Sequence, residues 1–372
     1  MLTTRRAAVL ALLALVASCG GPKFDAPTWN APAPAVVPEG VTSLSVGAAG
    51  WDGGMMITGS NQTVPQPMTS TDGHTWNQAL LEGMSGSAHG SLAGFGAAGY
   101  VLGGTADGPA VWRTETGATW TRTRLPGAMR DDLHLSIAAG PRGVVVAGYD
   151  RRSGADTSFD GYRVWFSPDG KAFDQTAVIP VPQVVEGVAP RVTATHDGFL
   201  LEGRGTGLVL FSSSDGLGWQ DITAGLPNAM LDAVGRSGGT TVAVSTWFDT
   251  DDTGPGLTAW YRHDGDSTWT TGSIDLGKLP DLAVAPRIRQ RVLAVQAWGD
   301  NGFIAVGGTE QSPRSGAAWT SPDGREWTRM SVRDNGFNQV PMLVAALANG
   351  TLIGMDTSVE GPKLATWTPR SG

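Results

Sequence analysis

Short runs of apolar or alternating positions follow one another along most of the chain, each broken by Gly, Pro, Asp or Ser. Few segments carry the apolar period of an amphipathic helix. Residues 135–139, a turn at 140–143 and residues 144–148 form one such pair of runs. Residues 192–195, 196–198 and 199–202 form a second, and 292–297, 299–302 and 303–307 a third. Each pair reads as two antiparallel strands joined by a tight turn. The pattern predicts an all-β protein.

A repeat gives these strands an order. Ser70-Thr71-Asp72-Gly73-His74-Thr75-Trp76 recurs as Thr114-Glu115-Thr116-Gly117-Ala118-Thr119-Trp120 and as Ser167-Pro168-Asp169-Gly170-Lys171-Ala172-Phe173. It recurs again as Ser213-Ser214-Asp215-Gly216-Leu217-Gly218-Trp219, and most sharply as Ser321-Pro322-Asp323-Gly324-Arg325-Glu326-Trp327. His263-Asp264-Gly265-Asp266-Ser267-Thr268-Trp269 is a copy one residue longer. The closing aromatics are 44, 53, 46, 50 and 58 residues apart. That spacing fits a four-stranded blade with loops of varying length.

Elementary chemistry explains the turn. The Ser or Thr hydroxyl and the Asp carboxylate accept hydrogen bonds from turn N–H groups, and Gly supplies a positive φ. The aromatic ring then covers the hairpin. A second large apolar residue stands eight positions earlier in most copies: Met68, Trp112, Trp165, Phe211 and Trp319, with Trp260 nine earlier in the long copy. By this logic Asp72, Asp169, Asp215, Asp264 and Asp323 are structural turn acceptors.

The motif resembles the Asp-box, or BNR-type, repeat of sialidase-like β-propellers, in a shortened form. The resemblance implies a β-propeller over nearly the whole chain and says little about activity. Asp25-Ala26-Pro27-Thr28-Trp29-Asn30 is similar to Asp72-Gly73-His74-Thr75-Trp76-Asn77, and Trp29 lies one period before Trp76. We therefore expect seven four-stranded antiparallel blades. The strand around Trp29 is expected to complete a last blade from residues 340–370 and close the ring, which removes exposed sheet edges.

The amino terminus is of another kind. Arg5 and Arg6 precede an apolar run at 7–16, too short to span a bilayer as a helix. Leu15-Val16-Ala17-Ser18-Cys19 follows and resembles the lipobox of bacterial lipoproteins. That resemblance implies cleavage before Cys19 and acylation of this residue. Cys19 is the one cysteine in the 372-residue chain, so the body holds no disulfide. The expected organisation is a signal peptide at 1–18, a lipidated tether at 19–24 and a propeller at 25–372. The expected location is the extracytoplasmic face of the cell membrane, lipid-anchored.

The formal charge is −8, or about −10 without the two leader arginines, which disfavours nucleic acid. The 53 Gly, 23 Pro and 14 Trp suit many tight turns and large buried rings. The five histidines (74, 89, 134, 196 and 263) show no ligand spacing, so no metal or other cofactor is expected. Residues 249–254 cluster oxygens suited to calcium but lack the rest of an EF-hand, and read as an acidic loop.

In a propeller the strand 1–2 and 3–4 turns share one face. The strand 2–3 loops and the inter-blade connections share the other, and here they carry the irregular sequence where function concentrates. Arg130, Arg191 and Arg287 each precede an inner strand on that loop face, and Tyr149 lies nearby. One reading is a grip on an acidic sugar with Tyr149 as nucleophile, as the sialidase resemblance implies. The other is solvated arginines paired with Asp131, Asp132 and Asp281. The family's Arg-Ile-Pro motif is replaced by Arg287-Ile288-Arg289, so its catalytic set does not transfer. The leading expectation is a monomeric binding module for an envelope protein or cell-wall glycan; the rival is a sialidase-like glycoside hydrolase.

Overall fold

The computed structural model describes residues 24, 26–60, 65–85, 91–128, 134–151, 159–184, 188–228, 230–247, 256–275, 290–309, 314–356 and 362–370. Strands dominate them. After a two-residue strand β1 (Ala33–Pro34) come β2 (Ser43–Trp51), β3 (Gly54–Ser60), β4 (Pro65–Ser70) and β5 (Asn77–Gln78). The next four are β6 (Ser91–Phe95), β7 (Ala98–Thr105), β8 (Gly108–Thr114) and β9 (Thr121–Arg124). Then follow β10 (Ser136–Gly140), β11 (Gly143–Arg151), β12 (Phe159–Ser167) and β13 (Gln175–Pro180). A fourth set is β14 (Arg191–Ala194), β15 (Phe199–Arg204), β16 (Leu208–Ser213) and β17 (Gln220–Asp221). The fifth is β18 (Ala233–Ser237), β19 (Thr240–Trp247), β20 (Gly256–His263) and β21 (Thr270–Thr271). Last come β22 (Ser273–Ile274), β23 (Gln290–Trp298), β24 (Gly302–Thr309), β25 (Gly316–Ser321), β26 (Glu326–Arg329), β27 (Met342–Ala346), β28 (Leu352–Asp356) and β29 (Lys363–Trp367).

β2–β5, β6–β9, β10–β13, β14–β17 and β18–β21 are five four-stranded sheets, each in chain order. Neighbouring strands within each are antiparallel, as hairpins require. The rest forms a nine-stranded sheet. It contains the run β23-β24-β25-β26 and the run β27-β28-β29-β1, joined where Gly308 pairs with Met342. β1 lies antiparallel to β29, with Ala33 opposite Thr366 and Pro34 opposite Ala365, and Trp29 bridges Pro369. Among the described residues helix is confined to α1 (Val332–Asn335) and a 3-10 turn at Phe337–Gln339.

The core lies between the sheets. β24 and β25 are buried at every position, because each is covered on both faces. Apolar clusters bridge consecutive sheets: Tyr149, Val164 and Phe166 meet Val192 and Leu201, and Leu200 and Leu210 meet Val234 and Trp260. One cluster joins the first sheet to the last, setting Ile57, Met68 and Trp76 against Ile353, Met355 and Leu364. The six aromatic or Met residues ahead of the turns, from Met68 to Trp319, are all buried. Several third-strand indoles also make a directed bond that the repeat did not announce. Trp112 Nε1 donates to Glu82 O (3.2 Å), Trp165 Nε1 to Pro126 O (2.8 Å) and Trp367 Nε1 to Asn335 O (2.9 Å). Each thus pins the connection that leads into its own sheet.

Candidate functional site

The repeated turns adopt the geometry that their chemistry demands. At the first, Gly73 N donates to Ser70 Oγ (2.8 Å), and the N–H groups of His74 and Thr75 donate to Asp72 Oδ1 (2.8 Å each). Trp76 Nε1 closes the loop on Gly73 O (3.1 Å). Those backbone bonds hold the Asp72 carboxyl down at about 2. The same set recurs around Asp215 and Asp323, with Trp219 and Trp327 donating to Gly216 and Gly324. Thr116 takes the acceptor role before Trp120, and Phe173 fills the aromatic place after Asp169 with a buried ring. The turn glycines run from φ 70° at Gly170 to 87° at Gly265, a region closed to most side chains.

Asp264 departs from the expected role. In the long copy the cap passes to Asp266, whose Oδ2 accepts from His263 N (3.0 Å). Asp264 Oδ2 instead accepts from Arg236 Nη2 (2.7 Å). Arg236 also reaches Asp197 through Nε (2.9 Å to Oδ2) and Thr241 through Nη1 (3.0 Å). Burial raises the Asp197 carboxyl, but Arg236 outweighs it and holds the group below its ordinary value. Trp269 donates not to its own turn but to Ile222 O (2.6 Å).

Of the three candidate arginines, Arg191 alone falls among the described residues. Arg130 and Arg287 lie outside the described residues, as do Asp131, Asp132, Asp281 and the loop at 249–254. Arg191 turns to its neighbours rather than to a ligand. It pairs with Glu202 and donates to Asp232 O (2.5 Å) and Leu231 O (3.2 Å), tying β14 to the segment that leads into β18. Burial pushes the Glu202 carboxyl up, against the pull of Arg191. Asp232 in turn faces Arg291 at 3.5 Å. Tyr149 is buried (7 % exposed), its ring 6.3 Å from Tyr162 and 5.7 Å from His134. Tyr162 bonds the backbone of Arg204, accepting from N at 2.6 Å and donating to O at 3.0 Å, and burial takes its hydroxyl to about 12.

A cavity of about 620 Å³ is lined by the first strand of each four-strand run: β2, β6, β10, β14, β18, β23 and β27. Its lining comes from the later residues of these strands and the turns after them, including Gly50, Phe95, Pro141, His196, Arg236, Ala297 and Ala348. It therefore reaches the face of the repeated turns, opposite the loop face singled out by sequence. Its walls are mostly Ala, Gly, Leu, Ile and Val, with a polar sector at Thr193, His196, Arg236 and Gln296. No sequence motif pointed to it, because small apolar residues carry no chemical mark. Among the described residues no three His, Cys, Asp or Glu side chains gather to hold a metal.

The amino-terminal segment comes in on this same turn face. A Cβ on Gly302, in the β23–β24 turn, would collide with the Phe24 ring. Trp29 is fully buried, donates Nε1 to Gly350 O in the β27–β28 turn (2.8 Å), and packs 5.9 Å from Phe337. The loop face carries exposed apolar side chains on its connections, Leu80 (81 %) and Met230 (74 %). A smaller hollow of about 210 Å³ lies beside Leu80, between Gln66 and Met84.

Comparisons with known proteins find likeness among solved structures. No protein-family model matches the sequence, and no curated protein matches it either. Among solved structures, virginiamycin B lyase from Staphylococcus aureus is similar with a TM-score of 0.57 at 11% identity, over 91% of this chain and 98% of that one. The β-propeller domain of the Trilobed protease from Pyrococcus furiosus has a TM-score of 0.45 at 13% identity, over 77% and 80%. A GH74 xyloglucanase from Xanthomonas campestris has 0.48 at 16% identity over 82% of this chain, which spans about half of it (47%). Four-stranded antiparallel sheets whose first strands line one shared cavity make the chain an all-β protein of the β-propeller type.

Proposed function

We propose that this β-propeller is a closed ring of seven blades, anchored through an acylated Cys19 to the extracytoplasmic face of a membrane, and that it binds an envelope protein or cell-wall glycan on its loop face. The observation that carries the reading is the position of Phe24 and Trp29. Both sit against strand 1–2 turns, so a tether at Cys19 holds the turn face inward and directs the loop face away from the bilayer. The seven-blade count draws support from seven inner strands around one cavity and from seven apolar clusters, each between consecutive four-strand runs or between the last run and the first. The exposed Leu80 and Met230 give the outward face apolar contact points among polar loops.

The glycosidase reading gains no comparable support: Tyr149 is stacked and buried, and Arg191 is engaged with Glu202. Fractionation and partner capture test the proposal together. The full chain should sit in the membrane fraction and Cys19→Ser should leave it. Envelope components captured by the full chain should be lost with Leu80→Asp and Met230→Asp, and kept with Lys171→Glu on the turn face. Capture lost through Lys171→Glu alone, or membrane retention of Cys19→Ser, would overturn the reading.

A further inference from the structure

The central cavity offers more than a structural void. About 620 Å³ lies within the size range of small-molecule sites, and the walls match their usual chemistry: mostly apolar, with a few polar groups on one side. The charged group in the lining, Arg236, is already balanced by Asp197 and Asp264. The polar sector therefore presents hydrogen-bonding groups without a net positive charge, which leaves an anionic ligand no unpaired cation to meet. Phe95 stands at the mouth, 40% exposed, which extends the apolar wall toward solvent.

The chain outside the described residues says what lies near that mouth. Cys19 precedes Phe24 by five residues, a reach of at most about 18 Å when fully extended. A body of this length has a radius of gyration of about 20 Å. Phe24 rests on the strand 1–2 turn that follows cavity-lining Ala297, so an acyl anchor at Cys19 would hold the cavity mouth within reach of the bilayer surface.

We propose that the cavity binds a single-chain amphiphile with an uncharged, hydroxyl-bearing headgroup, drawn from the membrane through the turn face. The chain lies along Leu92, Ile137, Val192 and Val295, and the hydroxyls meet His196, Arg236 and Gln296. The source of the ligand rests on the anchoring reading; the cavity itself does not.

The test titrates full-chain Cys19→Ser, which carries no acyl group of its own, with pyrene-labelled monoacylglycerol. Saturable binding is expected, at least tenfold tighter than for a pyrene-labelled fatty acid. Ala297→Trp should fill the cavity and weaken binding at least tenfold. Phe95→Asp, at an exposed position and so safer for folding, should do the same while circular dichroism stays unchanged. Absent binding, affinity unchanged in both variants, or equal binding of the fatty acid would overturn the proposal. Mass spectrometry of the membrane-derived full chain separates the two ideas. An unacylated Cys19 with intact probe binding removes the anchor and keeps the site; an acylated Cys19 without probe binding does the reverse.

Discussion

Thr366 Oγ1 donates to Gly73 O at 3.1 Å, joining residues 293 apart in sequence. The contact places the last sheet's third strand on the first sheet's repeated turn. Thr69 reaches Gly117 O (3.4 Å) and Tyr100 reaches Asp169 O (3.4 Å) in the same way, so these three turns are each bonded by a neighbouring sheet. The glycine serves two ends here. Its φ of 73° suits the turn, and a Cβ would stand 2.8 Å from Thr366 Oγ1. Gly73→Ala should therefore cost about 1–3 kcal/mol in urea unfolding. Adding Thr366→Ala should recover part of that loss, so the pair is less than additive. Strict additivity would deny the contact.

Trp29 should act as a core residue despite standing at the chain's beginning. Trp29→Ala removes a fully buried indole and its bond to Gly350 O, a loss of about 3–5 kcal/mol. Trp29→Phe keeps most of the packing and should lose only about 1 kcal/mol. Thermal unfolding of the two variants checks the ordering. An Ala variant as stable as the parent would mean that the segment contributes nothing to the fold.

Acid should loosen the repeated turns before it unfolds the sheets. Asp72 falls from an ordinary 3.8 to about 2 through backbone hydrogen bonds from Thr75 and His74 and a side-chain bond from Ser70, and Asp215 is lowered chiefly by Gly218 and Leu217. A lowered folded-state carboxyl stabilises in full above its unfolded value and loses that contribution as pH falls through the folded one. Stability should thus decline from near pH 3.8 down to about 2, with a flatter decline in Asp72→Asn. An unchanged slope in that variant would count against the assignment.

Glu202 carries the opposite sign. Burial raises it, so its ionisation costs stability as pH rises, and Arg191 offsets that cost. Arg191→Met should destabilise by about 1–3 kcal/mol, below a fully buried pair because Arg191 is 40% exposed. The loss should be larger at neutral pH than in acid, and Glu202→Gln should suppress this difference. Equal losses at both pH values would show that packing, not charge, is at work.

The turns were legible because their chemistry is local. Asp72, Gly73 and Trp76 stand within five residues, and no distant partner is needed to read them. Asp264 was misread for a related reason: one inserted residue hands the cap to Asp266, and Asp264 then answers to Arg236, 28 residues away. For Arg191 the sequence leaves two readings, a ligand group or an arginine paired with Asp131, Asp132 or Asp281. Its partners Glu202, Leu231 and Asp232 lie 11, 40 and 41 residues on, and only folding brings them near. The cavity left no trace in sequence, since Ala49, Ala138 and Ala346 become a wall only when separate sheets meet. The likeness of Trp29 to Trp76 does not extend to their bonds: Trp29 donates to Gly350 O of another turn, Trp76 to Gly73 O of its own, and the paired strand β1 falls later, at Ala33–Pro34.

The seam beside β29 has a mechanical consequence. Trp29, Ala33 and Pro34 run alongside Pro369, Thr366 and Ala365, and the chain then passes to Thr75 through a parallel bridge at Val36. A pull on the amino terminus acts along that strand, not across it. Its rungs are stretched together in shear instead of being unzipped one at a time. Resistance to such a pull would then be shared by the β1–β29 pairs and the Trp29–Pro369 bridge at once.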